Sequence, residues 1–167
     1  METINWDAVG ALSEAFGVIA VVASLIFVGF QIRHNAQATK TASVNNIMGA
    51  WCDMYLRFSE NENYASTIWN GSQDPTSLSG VDQWRLSMAF TAFFQLFHNA
   101  YYQWKAGAYE SKEWYAHMQF LRNILTLPGA QVAWKERKSI MPDDFRIYVE
   151  EKVLTKAPDP NYKFPGT

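Results

Sequence analysis

One cysteine, Cys52, stands in the whole chain. A single thiol closes no intramolecular disulfide and builds no cysteine-based zinc site. Basic charge is also short: 14 Lys and Arg face 16 Asp and Glu, so no broad positive field exists to hold a polyanion and no nucleic-acid partner is expected. Residues 1–14 contain no Lys or Arg but do contain Glu2, Asp7 and Glu14. A cleaved secretory signal begins with a positive stretch, so none is expected here. The chain has no Gly-x-Ser-x-Gly elbow, no phosphate loop ending in Lys-Ser/Thr, and no Gly-x-Gly-x-x-Gly turn. No stretch alternates with period two for long enough to make a strand, and there is no internal repeat.

What is present is apolar and aromatic. Residues 15–32, AFGVIAVVASLIFVGFQI, run uncharged for 18 positions between Glu14 and Arg33. A bilayer core about 30 Å thick takes roughly 20 apolar helical residues, and Gly10, Ala11 and Leu12 supply the missing length. The expectation is one transmembrane helix within a first region, residues 1–35. Arg33 and Lys40 follow the span while acidic residues precede it. Lys and Arg collect on the cytoplasmic side. The N-terminus is therefore expected outside, and residues 33–167 in the cytoplasm.

From Arg33 to Glu60 there is no Pro and one Gly, Gly49. Ile47, Met48, Trp51, Met54, Tyr55 and Phe58 recur at helical spacing. The first helix is thus expected to continue into a helical domain over residues 36–156. A short helix is expected over 63–70, ended by Gly71 and Pro75. Ser79, with Asp82 three places on, starts the next helix, and Gly107 stops it. Within it, residues 86–104 are uncharged for 19 positions. Gln95, His98, Asn99 and Gln103 would need partners in lipid, so a buried core helix is preferred to a second span. Ser111 is expected to cap a helix over 112–126 that returns antiparallel to its predecessor. Pro128-Gly129 breaks it, a short helix covers 130–138, and Pro142 opens the last one. Residues 157–167 read as an extended Pro-rich tail. The fold class is all-α: one N-terminal transmembrane helix continuing into a cytosolic antiparallel helical bundle.

Four sets of residues carry candidate chemistry. Ser13, Gly17, Ala20 and Ser24 place small side chains on one face of the span, which permits close helix packing in lipid. Gln31, Arg33, His34 and Asn35 form a polar collar just beyond it. In the aromatic helix, Phe93, Phe97, Tyr101 and Trp104 could line a ligand pocket. His117 follows Glu113 by four residues, half of a carboxylate–imidazole metal site, and His98 could join them if the helices meet. The Glu-x-x-His repeats of di-metal bundles are missing. No cofactor and no metal are expected.

Gln31-Ile32-Arg33 with Asn35, then Gly107 between aromatic helices, Trp114, Pro128-Gly129 and Trp134, resemble a broad group of uncharacterised bacterial proteins. These have one N-terminal membrane helix ending in a Q-I-R-x-N motif and a helical cytosolic part. The resemblance implies bacterial inner-membrane topology and no activity. The leading functional expectation is a non-enzymatic accessory or oligomeric interaction subunit of a membrane assembly. Its partners would be the bilayer and either further copies of itself or another membrane protein. The alternatives are a membrane-anchored helical enzyme or metal-binding bundle, and a lipid- or small-ligand-binding module.

Overall fold

The computed structural model describes residues 6–164, and every regular element among them is helical. Residues 1–5 of the first region and the last three residues of the C-terminal tail lie outside the described residues. Six α-helices follow in order: α1 (Trp6–Glu60), α2 (Glu62–Gln73), α3 (Gly80–Lys105), α4 (Ser111–Ile124), α5 (Pro128–Arg137) and α6 (Asp143–Tyr148). Short 3-10 turns, Pro75–Ser77 and Lys138–Ile140, precede α3 and α6. The chain divides into two units, Met1–Thr41 and Ala42–Thr167.

In the first unit, α1 is apolar on all sides. Val9, Leu12, Phe16, Ile19, Leu25, Phe27 and Phe30 are all exposed, and no residue of its most apolar window is buried. It is the one described helix long and apolar enough to cross a membrane. The two hydroxyls within residues 9–32 turn back on their own helix. Ser13 Oγ donates to the Val9 carbonyl at 2.9 Å, and Ser24 Oγ to the Ala20 carbonyl at 2.8 Å.

The second unit is organised around α3. Leu86, Ala89, Phe90, Phe93, Phe94, Phe97, Ala100 and Tyr101 are buried at three- and four-residue spacing. The polar residues Gln95 and Asn99 fall on the opposite, exposed side. That pattern is an amphipathic core helix, and α3 packs against α2, α4 and α5. The end of α1 contributes Ile47, Trp51 and Met54 to the same core, with Val44 and Phe58 packed on it. This seam is narrower than the sequence pattern implies, because Met48 and Tyr55 stay exposed. Trp51 stands edge-on to Phe93 and Phe97, with ring centroids 5.5 and 4.7 Å away.

Helix ends follow local chemistry. Asn61 caps α2, its side chain accepting from the Tyr64 amide at 3.0 Å. Gly107 stops α3 at φ +72°, donating its amide to the Trp104 carbonyl while Ala108 donates to Gln103. This paired closure needs a left-handed residue, and glycine adopts that conformation without steric cost. Ser79 occupies the N-cap of α3, but its hydroxyl donates to the Asp82 carboxylate at 3.3 Å rather than accepting from the backbone. Glu110, not Ser111, is the N-cap of α4. The Ser111 hydroxyl instead accepts from the Trp104 indole at 3.2 Å.

Two glycines act differently from their expected role as terminators. α2 continues to Gln73, so Gly71 lies inside it, and α5 begins at Pro128, so Gly129 lies inside that helix. Both are buried where α2 meets α5. A Cβ on Gly129 would collide with the Gly71 carbonyl oxygen and the Ser72 Cα. Gly129 thus lets the α5 backbone approach α2, while a Cβ on Gly71 would meet the Leu78 and Leu86 side chains; both are tertiary requirements that turn statistics do not contain.

After α6 the chain winds wider. Val149–Val153 is a π-helical turn, closed by the Leu154 amide donating to the Val149 carbonyl at 2.9 Å. Both valines are buried, and Arg122 Nε donates to the Val153 carbonyl at 2.9 Å.

Candidate functional site

A cavity of about 530 Å³ opens within the second unit. Tyr55, Phe58 and Ser59 of α1 form one wall, and Ala65, Ile68, Trp69 and Ser72 of α2 another. α3 contributes Ala89, Phe90 and Phe93, and α4 contributes Phe120 and Ile124. Leu127 and Phe164 complete the lining. Amphipathic packing produces this hollow: the buried stripe of α3 faces four neighbours, and Ala65 and Ala89 are too small to fill the space between them.

The C-terminal segment lies along one side. The buried Asn123 accepts the Asp159 amide on its Oδ1 at 2.9 Å. Tyr162 then packs edge-on against Phe120 at 6.0 Å, and Phe164 reaches the cavity. Residues 159–164 therefore form a strap hung from one carboxamide. Burial, then the neighbouring Tyr162, pushes the Tyr55 phenol above its ordinary value.

The walls are chemically quiet. None of the described lining residues carries a charge. Ser59 Oγ donates to the Leu56 carbonyl at 2.9 Å, and Ser72 Oγ to the Ile68 carbonyl at 2.6 Å. Both hydroxyl protons are engaged within their own helices. The arrangement can enclose apolar matter, and it offers neither a nucleophile–base pair nor an ionic anchor.

Of the four expected pocket residues, Phe93 alone lines this cavity. Phe97 and Tyr101 are buried in the packed core. Trp104 is stacked on Trp114, with centroids 5.2 Å apart and planes at 12°. Trp114 in turn donates to the Tyr148 hydroxyl at 3.0 Å. Phe97 and Tyr101 follow Phe93 along the helix into the core, while the half-buried Trp104 is engaged by its stack on Trp114. Tyr55 and Phe58 stand on the apolar face read from the sequence, whereas Ile68, Phe90, Phe120 and Phe164 carried no signal of a shared site.

His98, Glu113 and His117 do not converge, and no group of three potential metal ligands exists among the described residues. His98 lies between Tyr102 and Phe145, centroids 4.8 and 5.5 Å away. Burial lowers its pKa, and nearby Asp144 pulls it the other way. His117 packs on Trp51 at 5.1 Å. Its Nδ1 lies 2.9 Å from the Glu113 backbone carbonyl and 3.0 Å from the Tyr109 hydroxyl. A carbonyl only accepts, so Nδ1 carries the proton and donates. The i,i+4 relation is thus used by the backbone of Glu113, not by its carboxylate. Burial, with Glu113 adding to it, pushes Tyr109 up to about 12. Asp144 accepts from the Tyr102 hydroxyl at 2.9 Å and from Lys105 Nζ at 3.2 Å, which together hold its carboxyl below the usual range.

In the first unit, Ser13, Gly17, Ala20 and Ser24 are all exposed, and a Cβ on Gly17 would meet nothing within 4 Å. Gln31, Arg33, His34 and Asn35 are exposed as well. Comparison with protein-family models, curated proteins and solved structures finds no match for the chain.

Proposed function

We propose that the chain is a non-enzymatic single-pass protein of the bacterial inner membrane. Residues 9–32 of α1 span the bilayer, the N-terminus lies outside, and Ala42–Thr167 folds as an antiparallel helical bundle in the cytoplasm. It works as an accessory or oligomeric interaction subunit of a membrane assembly, in keeping with the Q-I-R-x-N resemblance.

The observation that carries this reading is the exposure of apolar side chains around the whole circumference of α1. Phe16, Val18, Ile19, Val21, Leu25, Ile26, Phe27 and Phe30 are each more than half exposed. A core helix would be mostly buried, and a partner protein would cover one face. Hydrocarbon covers every face. At 1.5 Å per residue the 24 positions of 9–32 reach about 36 Å, enough for a core of about 30 Å. The back-bonded hydroxyls of Ser13 and Ser24 meet the demand that polar groups in lipid be satisfied internally. Arg33 and Lys40 favour a cytoplasmic C-terminal side. The small face Ser13, Gly17, Ala20 and Ser24 supports lateral association with a second copy or another membrane helix. The collar of Gln31, Arg33, His34 and Asn35 sits at headgroup level.

The test is fractionation of cells making the untagged, full-length chain, followed by mild detergent extraction and native mass measurement. The expected result is a membrane pellet resistant to alkaline washing, then a particle containing several copies or a second protein. Protein left in the supernatant overturns the membrane reading. A strictly monomeric particle overturns the accessory-subunit reading.

A further inference from the structure

We infer that the cavity between α1, α2, α3 and α4 binds one acyl chain, as a free fatty acid or as the tail of a single-chain lipid. At about 30 Å³ for a group the size of water, its 530 Å³ is on the scale of one common fatty tail. Aromatic and aliphatic side chains line it, no charged residue does, and both serine hydroxyls are already bonded. A metabolite with several polar atoms would find few partners among these residues, whereas a methylene chain needs none. Trp69 and Tyr55 are partly exposed at the margin, which leaves the carboxylate or headgroup in water. The strap over residues 159–164 supplies a wall through Phe164. The inference rests on the membrane reading only for the supply of ligand, because a bilayer-tethered domain works beside a reservoir of acyl chains.

The test uses the full-length chain in phosphatidylcholine vesicles containing palmitic acid that bears a photoactivated diazirine. After irradiation and digestion, adducts are located by mass spectrometry. Two sets are expected. Adducts on residues 9–32 rise linearly with probe content, because they report solvent lipid. Adducts on Phe90, Phe93, Phe120 and Ile124 saturate, because they report one site. Filling the cavity with Ala65→Phe and Ala89→Phe is expected to cut the second set by at least about tenfold while sparing the first. Unlabelled palmitic acid added to wild-type protein gives the same selective loss without any substitution. Adduct masses with lysophosphatidylcholine carrying the same tail separate a headgroup-tolerant site from one limited to free acids. Absence of cavity adducts in the wild type, or adducts that rise without saturation, overturns the inference. Loss of the adducts on 9–32 alone counts against the membrane reading and leaves the cavity site standing.

Discussion

Two uncharged stretches of nearly equal length meet opposite fates in this chain. Residues 15–32 lie on α1 with every side chain exposed, and residues 86–104 lie on α3 with eight side chains buried. Length and lack of charge do not separate them. The azimuth of the polar side chains does. In α3, Gln95 and Asn99 stand four apart on one exposed stripe, opposite the phenylalanines. Such a stripe can face water while the rest of the helix packs. In α1, Ser24 and Gln31 are seven apart with Phe27 and Val28 between them, and no continuous polar face forms. Side-chain type differs as well. α3 buries aromatics that interlock edge to face, as Phe93 does with Phe97 at 4.8 Å. In residues 15–32 of α1 the three phenylalanines, Phe16, Phe27 and Phe30, are exposed and stand among Val, Ile, Leu, Gly and Ala.

The hardest blow to this contrast is charge. Val21→Arg with Leu25→Arg should cost about 6 kcal/mol of insertion free energy and move the protein out of the membrane fraction, since each central Arg costs roughly 3 kcal/mol. Gln95→Arg in α3 should leave fractionation and helicity unchanged. Next comes truncation. Phe97→Ala, at a fully buried ring, is expected to lower unfolding stability by about 3 to 5 kcal/mol, seen as an earlier loss of near-UV circular dichroism in detergent. Phe27→Ala, at a ring 62% exposed, should leave that transition in place. Glycine replacement is subtler. Gly129→Ala forces α5 off Gly71 and should cost about 1 to 3 kcal/mol, whereas Gly17→Ala meets open space and should strengthen its helix by about 0.5 to 1 kcal/mol. If Gly17 packs against a second helix, the same change should instead reduce the oligomer in native mass spectra.

The smallest expected effect is on pH dependence. Burial keeps the folded-state pKa of His98 below its ordinary 6.5, so the unfolded chain takes up the proton first as pH falls. Stability is complete above about pH 6.5 and declines below it. His98→Gln should remove that decline, read as a melting temperature that changes less between about pH 7 and about pH 5.5 than in wild type. Asp144 acts in a lower window. Its depressed pKa contributes stability above about pH 4 that is lost as the carboxylate protonates, and Asp144→Asn should flatten that acid limb.

The sequence made the helical class legible because its signals are local. Apolar spacing through Ile47, Trp51 and Met54 marked a buried face, and Gly107 marked a stop that its positive φ explains. Pro142 sat at a helix start for the ordinary reason that proline lacks an amide proton, whereas Pro128, read as a breaker, is itself the first residue of α5. What escaped was tertiary. Gly129 is needed because the Gly71 carbonyl, 58 positions away in sequence, lies against it, and Gly71 because Leu78 and Leu86 pack on it, so each looked like a terminator. The cavity shares only Phe93 with the expected pocket, because its walls come from four helices and Phe164. His117 looked ready for a carboxylate because spacing predicts proximity but does not say which oxygen will be met.

The wide turn at Val149–Val153 has a mechanical consequence. A π turn holds one residue more than the α-helical coil it interrupts. Winding the same residues as α-helix would turn the departing chain by about 100°. Asp159 would then miss Asn123, Tyr162 would leave Phe120, and the hollow would lose its Phe164 side. One surplus amino acid thus acts as a rotary setting that aims the end of the polypeptide.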